Sequence, residues 1–280
     1  MKTAQQRFKI ISINHTKVEK EKISNNRIMD PKLNSNRKFM VCDVDNTITE
    51  SCQIVEDRMA RQIDALHESN LFAFISGTNM ENLFKMISSR LKTPHYLLSN
   101  TGTRCYYIQN RETHQIYADE FLPNQKKEII SALENLIKIE GLVPLASDNI
   151  QDRGSQITLS ILGRSAPKES KDNYDSTMEK RKRFAEYLSK IIPDYDIHIG
   201  GTTSLDITRK GIDKRYGLKR FVANYGLSLK NITFFGDKLM EGGNDYPVKG
   251  LVKCVSVKNP SETYEKFKEI YSSQKQPQLK

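Results

Sequence analysis

Five short apolar runs constrain this chain most: FMVCDV (39–44), LFAFI (71–75), HYLLS (95–99), ITFF (232–235) and VKCVSV (252–257). Each is too short for a stable helix and apolar at nearly every position. Aromatic or β-branched residues dominate them, the signature of strands covered on both faces. Between them, apolar residues three and four apart predict helices, as over 54–69 and 79–91. Strands alternating with helices predict βαβ units with right-handed crossovers, hence an α/β fold on a parallel sheet.

The middle of the chain breaks this rhythm. TRCYYIQ (103–109), SQITLSIL (155–162), YDIHIG (195–200) and TSLDIT (203–208) alternate apolar with polar residues, as half-exposed antiparallel strands do. Helical patterns over 125–140 and 175–191 are interleaved with them. The pattern predicts an α+β domain at 114–208 inserted into a discontinuous core of 36–113 and 209–273.

Charge is unevenly spread. The net charge is +10, but residues 1–38 carry ten Lys/Arg against three acids, so +7 sits there and only +3 on the rest. Rich in Asn, Ser, Lys and Glu, residues 1–35 are expected to be a disordered basic tail, and 274–280 a second one. A nucleic-acid partner is therefore not expected. The helical run Glu179-Lys180-Arg181-Lys182-Arg183 is expected to be a solvated face, and His198 to be structural. No apolar run approaches the ~18 residues of a membrane span, so no membrane partner is expected either. The four scattered cysteines form no C-x-x-C pair and read as free thiols in a reducing cytoplasm.

Asp43-Val44-Asp45-Asn46-Thr47 closes the first strand. Ligands of open α/β sheets bind beyond the carboxyl ends of strands. Two carboxylates there can divide into a nucleophile and a general acid/base, because mutual repulsion keeps a proton on one of them. The same residues also suit a plain strand-ending turn. Ser76-Gly77-Thr78 follows the second strand with a hydroxyl and a flexible backbone suited to phosphoryl oxygens, and is equally a common turn. Lys214 opens a helix expected at 215–225, where a cation opposes the helix dipole unless an anion such as bound phosphate offsets it. Gly236-Asp237 ends a further strand, and Glu241-Gly242-Gly243-Asn244-Asp245 follows. Asp237 and Asp245 offer the hard oxygens that Mg²⁺ prefers. Each string alone is ambiguous, but chance is a poor explanation for all four together.

D-x-D-x-T, S-G, G-x-x-K and G-D…G-N-D resemble the four motifs of the haloacid dehalogenase superfamily. The large α/β insertion resembles its class IIB cap on a Rossmann-like core. GIDKRYGL (211–218) and FFGDKLMEGGNDY (234–246) are similar to eukaryotic phosphomannomutases, whereas DRGSQIT (152–158) and GGTTSLDITRKGIDK (200–214) resemble bacterial class IIB hydrolases. The resemblance implies that Asp43 forms an aspartyl-phosphate and Asp45 serves as acid and base. It further implies that Ser76, Gly77 and Lys214 hold phosphate, and that Mg²⁺ sits on Asp43, the Asp45 carbonyl, Asp237 and Asp245. Substrate would be bound by Arg153, Arg164, Ser204, Asp206 and Asn244. Cys52 and Lys171 stand where the mutase family carries arginines. The reading is therefore a magnesium-dependent phosphatase of a small phosphorylated metabolite such as a sugar phosphate, with phosphomannomutase as the alternative. Both branches make a homodimer conceivable.

Overall fold

The computed structural model describes residues 11–12 and 38–275. It contains a mixed α/β unit, formed by the chain up to Ala118 and from Asp213 onward, and a second unit at Asp119–Ile212. In chain order the strands of the first unit are β1 (Ile11–Ser12), β2 (Lys38–Asp43), β3 (Asn70–Ile75), β4 (His95–Ser99), β5 (Arg104–Gln109) and β6 (Glu112–Ala118). After the insertion, which holds four further strands, come β11 (Ile232–Gly236) and β12 (Lys253–Ser256). They form one sheet in the order β1-β6-β5-β4-β3-β2-β11-β12. From β4 through β12 all pairings are parallel; β5 and β6 continue antiparallel.

Alternation along β2 explains why its sequence is uniformly apolar. Phe39 and Val41 face one layer with Leu71, Ala73, Ile75, Leu218 and Phe221. Met40 and Cys42 face the other with Phe72, Phe74, Ile63 and Phe267. Burying a large apolar side chain contributes about 1.5–3 kcal/mol, so a strand covered on both faces gains at every position. Helix α1 (Asp57–Leu66) turns Met59, Ala60, Ile63 and Leu66 inward, a helical three-and-four spacing. The helix expected over 79–91 is instead a short α2 (Met80–Leu83) running into a π-helical turn at Phe84–Ser88.

Several boundaries differ from those expected. The first unit extends through β6, because Arg104–Gln109 and Glu112–Ala118 pair as a hairpin. Its turn, Asn110-Arg111, has both residues at positive φ (51° and 64°), a geometry usually signalled by Asn-Gly. Strand β5 is buried along its centre rather than half-exposed, and the edge strand β12 is only partly covered. Ile11–Ser12, inside the expected tail, pairs in parallel with His114–Gln115. The rest of that expectation lies outside the described residues, as do 276–280. Gln274 and Lys275 end a helix that packs Phe267 and Thr263 inward.

The inserted unit has its own core. Its strands β7 (Ile150–Asp152), β8 (Gln156–Ser160), β9 (Tyr195–Gly200) and β10 (Ser204–Arg209) form an antiparallel sheet in the order β7-β8-β10-β9. Helices α3 (Pro123–Ile139) and α5 (Glu179–Ile191) pack Leu133, Leu136, Phe184 and Leu188 against Ile157, Leu159, Leu205 and Ile207. The short α4 (Lys168–Tyr174) precedes α5. Back in the first unit, α6 (Lys214–Tyr225) and α7 (Pro260–Lys275) complete the chain. Among the described residues, no helix is long and apolar enough to cross a membrane.

Candidate active site

The chain leaves β2 by folding over one carbonyl. Val44 O accepts the backbone N–H groups of Thr47, Ile48 and Thr49, at 3.3, 2.9 and 3.1 Å, and Asn46 takes a left-handed φ of 59°. This tight turn keeps Asp43 buried at the strand end and leaves Asp45 half-buried. Thr47 Oγ1 donates to Asp43 Oδ2 at 3.1 Å. Asp45 Oδ1 accepts the Cys52 backbone N–H at 2.8 Å and the Ser51 hydroxyl at 3.2 Å. One face of the Asp45 carboxylate is thereby fixed.

Lys214 is the first residue of α6, whose N-terminus Asp213 caps by accepting the Tyr216 N–H at 2.8 Å. Its ammonium bonds Asp43 Oδ1 and, at 2.6 Å, Asp245 Oδ1. Two carboxylates thus offset a cation at the positive end of a helix, an arrangement the sequence reading did not foresee. Asp245 is fully buried, and its other oxygen accepts the Lys238 N–H at 3.0 Å. The helix reaches this depth through a backbone contact. A Cβ at Gly217 would lie 2.3 Å from Thr101 O, and one at Gly102 would lie 2.5 Å from Gly217 Cα. Glycine is required on both sides of that contact.

Carboxylate oxygens of Asp43, Asp237 and Asp245 all lie within 4.8 Å of one another. Burial, with the Asp245 charge added, pushes the Asp43 carboxyl up to about 6 against the opposing pull of Lys214. Burial pushes the Lys214 ammonium down, but Asp43 and Asp245 outweigh it and hold it above its ordinary value. Fully ionised, three carboxylates against one ammonium leave two unbalanced negative charges, the charge of one divalent cation. The donors are all hard oxygens, so the set fits Mg²⁺.

Ser76 is buried directly after β3, where its hydroxyl accepts the Thr78 N–H at 3.2 Å. Gly77 beside it is exposed, as is Asn244. The remaining expected residues belong to the inserted unit. Arg153 donates to Gln151 Oε1 at 2.9 Å. Arg164 is exposed, and its carbonyl accepts the Lys171 ammonium at 2.9 Å. Ser204 and Asp206 lie on β10, with Asp206 Oδ1 accepting the Thr158 hydroxyl at 2.7 Å. His198, paired opposite Asp206, is exposed on β9.

A buried carboxylate at a strand end, a partnered lysine and an acidic trio on an α/β sheet define a phosphoryl-transfer enzyme of the haloacid dehalogenase type. Solved structures of that fold agree. The *Plasmodium falciparum* IMP-nucleotidase superposes with a TM-score of 0.62 at 19% identity, covering 86% of this chain and 63% of that one. A haloacid dehalogenase-like hydrolase from *Bacteroides thetaiotaomicron* gives 0.58 at 14%, covering 84% and 99%. The family profile for eukaryotic phosphomannomutase matches residues 59–273, and the chain belongs to that family. Phosphomannomutases of *Saccharomyces cerevisiae* and *Encephalitozoon cuniculi* are 28% and 29% identical over 244 and 241 residues. The matches cover 84% and 82% of this chain, and 94% and 92% of those proteins.

Proposed function

We propose that the protein is a hexose phosphate mutase of the phosphomannomutase kind, rather than the phosphatase that the altered arginine positions suggest. The observation that carries this reading is the extent of the family match, which runs through the whole inserted unit as well as the core residues from 59 onward. One contact softens the argument from lost arginines. Lys171 stands where a guanidinium is expected, yet it keeps a positive charge, and its ammonium bonds the Arg164 backbone carbonyl at 2.9 Å. Lysine binds phosphate as a point charge where arginine binds it as a fork.

In this reading Asp43, ionised, attacks phosphorus through a carboxylate oxygen as the bond to the sugar oxygen breaks. Asp45 gives that oxygen a proton and later takes one from the accepting hydroxyl. Loaded in this way from a hexose bisphosphate, the aspartyl-phosphate passes its phosphoryl group to the free hydroxyl of a hexose 1-phosphate, giving a bisphosphate whose original phosphate then returns to Asp43 and leaves the 6-phosphate. Arg153, Arg164, Lys171, Ser204, Asp206 and Asn244 are assigned to the sugar phosphate. Ser76, Gly77 and Lys214 are assigned to the transferring group, where positioning and charge neutralisation supply most of the rate. Mg²⁺ held by Asp43, Asp237, Asp245 and the Asp45 carbonyl would neutralise charge on the phosphoryl oxygens.

Phosphorus NMR of mannose 1-phosphate and glucose 1-phosphate, with a hexose bisphosphate present, tests the reading. Appearance of 6-phosphate faster than inorganic phosphate is expected, with neither product from folded Asp43→Asn. Phosphate release outpacing isomerisation would return the protein to the hydrolases.

A further inference from the structure

Arg181 lies in a basic run expected to be solvated, yet it is 2% exposed. Its Nε donates to Asp175 Oδ2 at 2.9 Å and its Nη2 to the Asp175 carbonyl at 3.0 Å. Its Nη1 reaches the carbonyls of Gly200 and Gly201 at 3.2 and 2.6 Å. Asp175 also accepts the N–H groups of Lys180 and Arg181, each at 3.1 Å, so the same carboxylate caps the first turn of α5.

The two glycine carbonyls belong to the turn from β9 into β10. A Cβ at Gly200 would come 2.7 Å from Asp206 Oδ2, and one at Gly201 would come 3.9 Å from Ser204 Oγ. Arg181 therefore grips one side of a turn whose other side abuts Asp206 and Ser204. Buried ion pairs of this kind add little net stability over apolar side chains of the same volume, so stability alone is a poor reason for this one. A planar guanidinium whose Nε and Nη2 hold Asp175 while its Nη1 donates to two successive carbonyls instead fixes backbone geometry, a combination that a lysine cannot reproduce.

We infer that Arg181, keyed by Asp175, is a positioning residue for substrate recognition: it fixes the Gly200-Gly201 turn and so places Ser204 and Asp206 for a sugar phosphate it does not touch. The inference rests on the proposed function in taking those two residues as substrate ligands.

The test compares Arg181→Lys and Arg181→Met with the wild type on two substrates, a hexose 1-phosphate and p-nitrophenyl phosphate, whose aryl group has no hydroxyls for Ser204 or Asp206. KM for the hexose phosphate is expected to rise about tenfold, equivalent to about 1.4 kcal/mol of lost binding. Its kcat, and kcat/KM for the aryl phosphate, should stay within about twofold. An unchanged hexose-phosphate KM in a folded variant overturns the inference, as does an equal loss on both substrates, which marks a merely structural role. Should Arg181→Met fail to fold, Arg181→Lys decides by the same criteria. A wild type that turns over no hexose phosphate would refute the proposed function instead. The variants are then judged by the same criteria on the phosphorylated metabolite with the highest kcat/KM.

Discussion

The Lys214 ammonium lies 2.6 Å from Asp245 Oδ1, both side chains buried, and the same nitrogen bonds Asp43. A single cation thus joins the end of β2 to the loop after β11 across 31 and 171 residues of sequence.

Removing that cation leaves two buried carboxylates uncompensated. Lys214→Met should cost about 3–5 kcal/mol in a urea unfolding titration, the range for breaking a buried pair. It should also lower kcat by roughly 10²–10³, as loss of an aimed electrostatic donor does. Near-wild-type stability would mean that Asp43 is protonated in the native protein.

Metal dependence can be read without turnover. Isothermal titration of the purified protein with Mg²⁺ should show one site, weakened on the order of tenfold or more by Asp237→Ala, because even an indirect partner of a metal ligand is worth that much. Activity should disappear in EDTA. Binding should weaken as pH falls through about 6, where Asp43 takes up a proton and loses its donor charge. Full activity in chelator would remove the metal from the mechanism.

His95 offers a second pH test. It is buried, with Nε2 2.7 Å from Ser88 Oγ and Nδ1 2.8 Å from Thr93 O, so the neutral ring satisfies both contacts. Burial lowers its pKa from 6.5 to about 4, partly opposed by the Thr93 carbonyl and Asp64. The unfolded chain therefore takes up a proton between pH 6.5 and 4 that the folded chain refuses. Stability is fully retained above pH 6.5 and falls by on the order of 3 kcal/mol toward pH 4. His95→Gln should flatten that part of the stability profile, and parallel profiles for the two proteins would contradict the assignment.

Gly217→Ala probes how α6 is seated. The new methyl would overlap Thr101 O and Gly102 Cα, at 2.3 and 2.9 Å, and both are backbone atoms that cannot rotate away. A loss of about 1–3 kcal/mol is expected from the forced shift, with reduced kcat because Lys214 opens the same helix. Wild-type stability together with wild-type kcat would show that the contact does not set the position of Lys214.

Local pattern alone determined a good deal. Runs such as LFAFI and ITFF announce buried parallel strands because both faces must be apolar, and the acids that follow them mark where the sheet opens. D-x-D, the lysine and G-D…G-N-D stand out as candidates at strand ends, and the structure brings Asp43, Lys214, Asp237 and Asp245 of that set together. Other features depend on partners far away in sequence and had no local signature. Asn110-Arg111 carries no glycine to advertise its tight turn, so the sequence pattern places β6 from His114 onward in the insertion, whereas the whole strand pairs with β5. Arg181 is indistinguishable in sequence from the charged neighbours around it; only folding brings the Gly200 and Gly201 carbonyls within its reach. Lys214 was legible as a cation at a helix start, but its compensation by Asp43 and Asp245 is a property of packing. Sequence fixes which groups are available and at what periodicity, while desolvation and distance, which exist only in the folded chain, decide which of them act on one another.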